Sequence, residues 1–405
     1  MWLKIALRNT FRNRRRTALN VVMIASGVVG IILFRGFTYR ILYDLQDVTI
    51  RTDTGHLQVA MPVYWEKTAR KAKQALLPDY QKLLTDIRAL PHVRYASGRL
   101  SFYGLLSLGD DSTSAQGITL DPASEVGRNE SIHLVAGHRL DPSQPHQILV
   151  GSGLAKRMRI HPGDTVTALG YTFDGMVNAL DMEVAGIFLT DVSEIDDSTF
   201  IIPLSSAQTL LDTEKVQKIV VGLDDTALTD TMRGSLEQLI TRDGSSAQVK
   251  TWLQLAAFYN KCASFFSTQN KIFQFIILAL VLLGVLNTIG MSVFERAGEI
   301  GTVRALGETE GMVLFQFLIE GALLGLIGAL AGVVCGTGLA HFISWLDIPL
   351  VIPGATQPVR VSITPFLWAY VEAIALAIGA SVCAAVIPAF RASRMNITES
   401  LKRYV

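Results

Sequence analysis

The chain has 405 residues, half of them hydrophobic, with a mean hydropathy of +0.36. Only 18% are charged and they sum to a net charge of +1. An apolar excess of this size excludes an ordinary soluble fold, indicates a membrane protein, and gives no reason to expect a nucleic-acid partner.

In chain order, residues 1–16 read as a cytoplasmic amphipathic segment, rich in base through Lys4, Arg8, Arg12, Arg14, Arg15 and Arg16. An apolar run follows, giving a first span over 17–37. A cleaved signal peptide has a similar outline, but this run approaches span length and no small-residue cleavage site follows it. Residues 38–270 then form one large insertion, big enough to bury its own core. It carries 21 Lys and Arg against 27 Asp and Glu.

Inside the insertion, 55–60 and 218–222 alternate like strands and 79–90 has helical periodicity, which indicates an α+β domain. A β, α, β unit is read from Val216 through a helix at 228–240 into 249–252, and 151–166 reads as helix, Pro-Gly-Asp turn and strand. Between strands at 165–169 and 183–188, residues 170–181 are expected to form a loop carrying Tyr171, Phe173, Met176 and Leu180. Such a loop either presents a partner site or folds back on its own domain, and composition leaves both open. Residues 254–270 read as a stalk helix entering the second span.

The second span is expected over 271–294, a charged helix over 295–311, a third span over 312–345, a short loop over 346–365, a fourth span over 366–390 and a tail over 391–405. Lys and Arg cluster before the first span, at Arg296 and Arg304, and after the fourth span, whereas the loop 346–365 has only Arg360. The bias places both termini and the charged helix in the cytoplasm and the insertion on the opposite side. Gly321, Gly325, Gly328, Gly332 and Gly336 recur in the third span at intervals that let another helix come close. Glu320 and Glu372 lie within spans, where a carboxylate needs a partner or water. A packing or hydrogen-bonding role is expected for Glu320, with Glu372 open.

Catalytic patterns are missing. The sequence contains no GxxxxGK[ST], HExxH or GxSxG, and Cys262, Cys335 and Cys383 have no metal or disulfide spacing. A non-catalytic chain that binds no metal or cofactor itself is expected.

In the charged helix, Glu295, Glu299 and Val303 share one face, and Arg296, Ile300 and Arg304 share the next. Its sequence, ERAGEIGTVRALG, resembles the coupling segment of FtsX/MacB-type ABC transporter permeases, type VII, and 6–20 and 388–402 resemble that family's terminal signatures. The resemblance implies four transmembrane helices with a MacB-like α+β periplasmic domain between the first two. It also implies a bacterial inner-membrane location, a second permease copy or paralogue, and a cytosolic ABC ATPase that holds ATP and Mg. Coupling to that ATPase falls on Glu295, Arg296, Glu299, Ile300, Gly301, Arg304, Leu306 and Gly307.

The opening of the insertion, 54–65, is most similar to the lipoprotein-releasing LolC/LolE branch, and the loop at 170–181 lies where that branch holds its periplasmic chaperone. Extraction of lipoproteins or lipid-anchored cargo is therefore expected, in contact with membrane lipids and a periplasmic chaperone or adaptor. Efflux of peptides or small molecules and FtsX-like control of a periplasmic hydrolase are the alternatives.

Overall fold

Among the described residues, four helices are long and apolar enough to cross a membrane: Arg14–Thr49, Ala257–Glu295, Glu310–Trp345 and Leu367–Ser393. The computed structural model describes residues 14–66, 69–120, 132–190, 192–350 and 359–395. The expected amphipathic segment up to residue 13, the tail beyond 395 and residues 351–358 of the short loop lie outside the described residues. The chain divides into a helical unit, residues 1–43, 262–350 and 360–405, and a mixed unit built from 44–261 with 351–359.

In the helical unit, apolar side chains of all four helices form one core that includes Ile24, Val28, Val285, Phe317 and Ala377. The fourth helix contributes mainly small residues. Ala369, Ala373, Ala377, Ala380 and Ala384 recur at helical spacing and are all at most 5% exposed. A stripe of this kind lets backbones approach closely, which in lipid replaces the hydrophobic drive available in water.

The mixed unit contains two sheets. Strands β1 (Leu57–Ala60), β2 (Val93–Arg99), β3 (Ser101–Leu108), β4 (Asp111–Leu120), β5 (His133–Gly137), β6 (Gln147–Gly151), β7 (Thr165–Tyr171), β8 (Val177–Leu189), β9 (Thr199–Pro203), β10 (Lys218–Leu223) and β11 (Gln248–Thr251) follow in order. The first sheet is antiparallel, in the order β11-β1-β10-β2. Helices Tyr80–Arg88 and Thr229–Arg242 cover it, burying Leu83, Ile87, Leu236 and Ile240 against Leu57, Val59, Ile219 and Val221. The helix between β10 and β11 completes a β, α, β crossover, because both strands run antiparallel to the β1 that separates them.

The second sheet has the order β5-β8-β6-β9-β4-β3-β7, and β7 pairs again with β8. Six strands thus close on themselves, with β5 as a flank, and only β4–β9 and β6–β8 pair in parallel. The 13-residue β8 makes closure feasible, since residues 177–183 pair with β7 and 183–188 with β6. Closure removes open edges from these strands. Leu106, Ile148, Val150, Val166 and Phe200 fill its core.

One expectation is corrected here. Residues 170–181 do not form a long loop. β7 extends to Tyr171 and β8 begins at Val177, with these two residues opposite each other, so only Thr172–Met176 remain as a turn. Gly175 takes a positive φ of 88°, and the Met176 N–H donates to the Thr172 hydroxyl at 3.1 Å. Turn residues inside an apolar run hid a short hairpin.

Candidate functional site

The second long helix stops at Glu295 because Arg296, at φ −104° and ψ 12°, leaves helical geometry. A nine-residue helix, Ala297–Ala305, begins directly after it. Its end is defined by Gly307, whose φ of +101° suits only glycine without strain. The Gly307 N–H reaches the Arg304 carbonyl at 3.0 Å and the Glu308 N–H reaches that of Val303 at 3.3 Å. These two bonds form a Schellman stop.

This short helix has two unlike sides. Glu299, Val303 and Leu306 lie outward, Leu306 being 83% exposed, while Ala297, Ile300 and Gly301 are buried. Of the eight residues assigned to coupling, Ile300 and Gly301 are thus buried, and Arg296 and Arg304 turn back into the helical unit. Arg296 donates from Nη1 to Glu320 Oε1 at 2.9 Å and from Nε to Glu299 Oε2 at 3.3 Å, and its guanidinium lies 5.6 Å from the centre of the Phe317 ring. Arg304 donates from Nη2 to Glu310 at 3.1 Å and from Nη1 to the Met395 carbonyl at 3.1 Å. Glu295 receives both terminal nitrogens of Arg16, at 2.9 and 2.6 Å, a fork-on-fork geometry. One side of the helix is therefore fastened and the other is presented.

The intraspan carboxylates are both paired. Glu320 takes Arg296. Glu372 takes Arg35 at 2.6 Å from the first helix and Gln274 at 2.6 Å from the second. A carboxylate among apolar helices is stable only with such partners. The glycines of the third helix divide between two neighbours. A Cβ on Gly321 or Gly325 would lie 2.9 Å from Ala385 or Ile378 of the fourth helix. On Gly328 or Gly332 it would lie 2.6 Å from Ile24 or Val28, and on Gly336 3.3 Å from Ile32, all in the first helix.

Sequence reasoning missed Arg16, Arg35, Gln274 and Glu310 as partners. Arg35 could have been found, because a cation inside a predicted span calls for a carboxylate in another one.

In the mixed unit, Phe173 and Leu180 pack against the closed sheet's core, whereas Tyr171 and Met176 are 66% and 70% exposed. Tyr171 stands opposite Val177, and Gly104 opposite Gly170 puts exposed Tyr103 beside Tyr171 in the same cross-strand row. Among the described residues, no three His, Cys, Asp or Glu side chains are grouped to hold a metal ion.

Two families match the sequence. The FtsX-like permease C-terminal family covers residues 271–397, and the MacB-like periplasmic core domain covers 17–239, more than half of the chain. The chain belongs to the FtsX/MacB-type permeases. It is a type VII ABC transporter permease, and its four apolar helices make it an integral membrane protein.

Among relatives of this permease, the lipoprotein-releasing system transmembrane protein LolC of Neisseria meningitidis is 28% identical over 195 residues, 47% of this chain and 46% of LolC. The macrolide export ATP-binding/permease protein MacB of Brucella abortus is 29% identical over 178 residues, 43% of this chain and 27% of MacB. LolE of Haemophilus influenzae is 22% identical over 83% of this chain and 84% of its own length. In the first two alignments the permease spans less than half of the relative.

Proposed function

We propose that this permease couples ATP hydrolysis on a separate cytosolic ABC ATPase to movement of its MacB-like domain, and that it thereby extracts lipoproteins or other lipid-anchored cargo from the bacterial inner membrane. The observation that carries the reading is the two-sided helix Ala297–Ala305, fastened inward through Arg296 and Arg304 and exposed outward at Glu299, Val303 and Leu306. A surface that mixes charge and apolar groups on a fastened helix suits a partner that must both hold and push it.

In this reading the chain performs no catalysis and holds no cofactor. ATP and Mg reside on the partner, both termini and the short helix are cytoplasmic, and two permeases, identical or paralogous, act together. The domain boundaries follow from the lengths of the apolar runs, and the placing of the insertion outside the cytoplasm follows from the Lys and Arg bias. A Lol-like cargo is favoured by the LolE alignment, which extends along most of both chains. Exposed Tyr171 and Met176 are assigned to a periplasmic partner.

The test is purification with the native ATPase in lipid nanodiscs. Retained lipoproteins that leave only on addition of ATP and an acceptor chaperone support extraction. Copurification with an adaptor and outer-membrane channel, and no retained lipoprotein, points instead to efflux, and activation of a periplasmic hydrolase without cargo points to mechanotransmission.

A further inference from the structure

The contact between Arg296 and Glu320 is more buried than the ion pairs Arg16–Glu295, Arg35–Glu372 and Arg304–Glu310 of the same unit. The Arg296 and Glu320 side chains are only 14% and 8% exposed, and they join positions 24 residues apart, one at the break just before the short helix and the other on the third long helix. Arg304, by contrast, meets a half-exposed Glu310 only six residues away. Burying an ion pair gives little net stability, and apolar residues of similar volume commonly hold a fold as well or better. A directional pair at this place therefore needs a reason other than stability.

The backbone supplies one. Arg296 is the residue at which the second long helix breaks. Its N–H still donates to the Ser292 carbonyl at 3.1 Å and its carbonyl accepts from the Ile300 N–H at 2.9 Å. Its φ of −104° and ψ of 12° nevertheless interrupt the helical course, so a side-chain contact adds to what holds the short helix there. The Arg296 side chain reaches past the break to Glu320, while Phe317, 1% exposed, lies under the guanidinium. The third helix is in turn keyed to the first, with Gly328 and Gly332 against Ile24 and Val28. Contacts packed this closely transmit displacement rather than absorb it.

We propose that Arg296 and Glu320 are positioning residues that make the short helix and the third long helix move as one body, so that a push on Glu299, Val303 and Leu306 is delivered to the first helix. The inference rests on the proposed docking of an ATPase at the exposed side. Without the pair, the short helix swings at the Arg296 break and the ATPase turns over without moving the helices beyond it.

The experiment uses the full permease with its ATPase in nanodiscs. Cys262, Cys335 and Cys383 are replaced and a bimane fluorophore is attached at Val22→Cys, which is 66% exposed on the first helix. ATP is expected to shift bimane emission in the otherwise unchanged complex. In the paired variant Arg296→Met with Glu320→Met, which fills the space without a directional contact, the emission change, taken relative to the ATP turnover of the same complex, falls about five-fold or more. Glu320→Gln, which keeps an acceptor for Arg296, retains at least about half of the change.

An unchanged emission response in the Met pair overturns the proposal, as does loss of ATPase binding or of assembly in the Met pair, since either makes the contact merely structural. Equal loss in Glu320→Gln and the Met pair also overturns it. If instead the unmodified complex shows no ATPase binding and no response to ATP, it is the proposed function that fails.

Discussion

The two units bury different things. The mixed unit is filled with large apolar side chains, Phe188, Phe200 and Leu106 among the fully buried, and the ion pairs Lys73–Asp174 and Arg233–Glu237 stand at its surface. The helical unit is held by small residues at helix crossings and keeps polar ties inside: Arg296 with Glu320, Glu372 with Gln274, and Thr288 with Asn20 at 2.8 Å. In water, removing apolar area drives folding. Between helices in lipid that drive is missing, so close approach and a few directional contacts define the packing. The mixed unit buries polar side chains too, such as Asp196, which accepts from the Thr190 hydroxyl at 2.8 Å six residues away, whereas in the helical unit the buried polar ties join separate helices.

The sharpest way to break this comparison is a cavity in the mixed unit. Phe200→Ala is expected to cost about 3–5 kcal/mol, because a fully buried ring in the closed sheet is lost. Denaturant unfolding of the full-length protein, followed in the mixed unit, measures it; a loss well below this would mean the sheet core collapses freely. In the helical unit the corresponding damage is overfilling. Gly332→Val should cost about 1–3 kcal/mol, since its Cβ alone would come within 2.6 Å of the Val28 Cβ. Gly338→Ala, with nothing within 4 Å, is the control and should be neutral or slightly stabilising.

A smaller effect separates the units by pH. His56 accepts the Leu223 N–H at Nδ1 and meets the Thr226 hydroxyl through Nε2, and burial holds its pKa down from 6.5 to about 4, opposed by Asp225 and Asp47. Between those two values the unfolded chain binds the proton and the folded one does not. Its contribution to the mixed unit's stability is thus complete above about 6.5 and lost as pH falls toward about 4. Melting temperature against pH should show this slope for the mixed unit, and His56→Gln should flatten it; an unchanged slope would assign it to other groups.

Legibility in the sequence divides along the same line. The spans could be read because a long apolar run has few other uses, whereas the charged helix expected over 295–311 is shorter, Ala297–Ala305, because Gly307 stops it and the third long helix already begins at Glu310. The rotation of each helix could not be read. Glycine spacing announces a close neighbour, but only the fold shows that Gly325 meets the fourth helix and Gly328 the first. Nor does composition reveal that Arg296 and Arg304 point inward, since a charged helix reads the same from both sides. In the mixed unit, alternation marked strands such as β1 and β10, while the closure of β7 onto β8 depends on pairing between distant segments. The misjudged stretch 170–181 has the same cause: Val177 to Asp181 become strand only because β7 lies opposite them.

The central claim is that the outward side of the helix Ala297–Ala305 receives force from an ATPase while its inward side is fastened. Permease-stimulated ATP turnover in the reconstituted complex of a Glu299→Lys, Leu306→Asp variant tests it most directly. Both residues are exposed; Glu299→Lys removes the acceptor of Arg296 Nε at 3.3 Å, whereas the 2.9 Å contact of Arg296 Nη1 is to Glu320, which is not replaced. Turnover is predicted to fall about ten-fold or more, with normal membrane insertion and an unchanged melting temperature. Turnover equal to that of the unmodified complex would contradict the account.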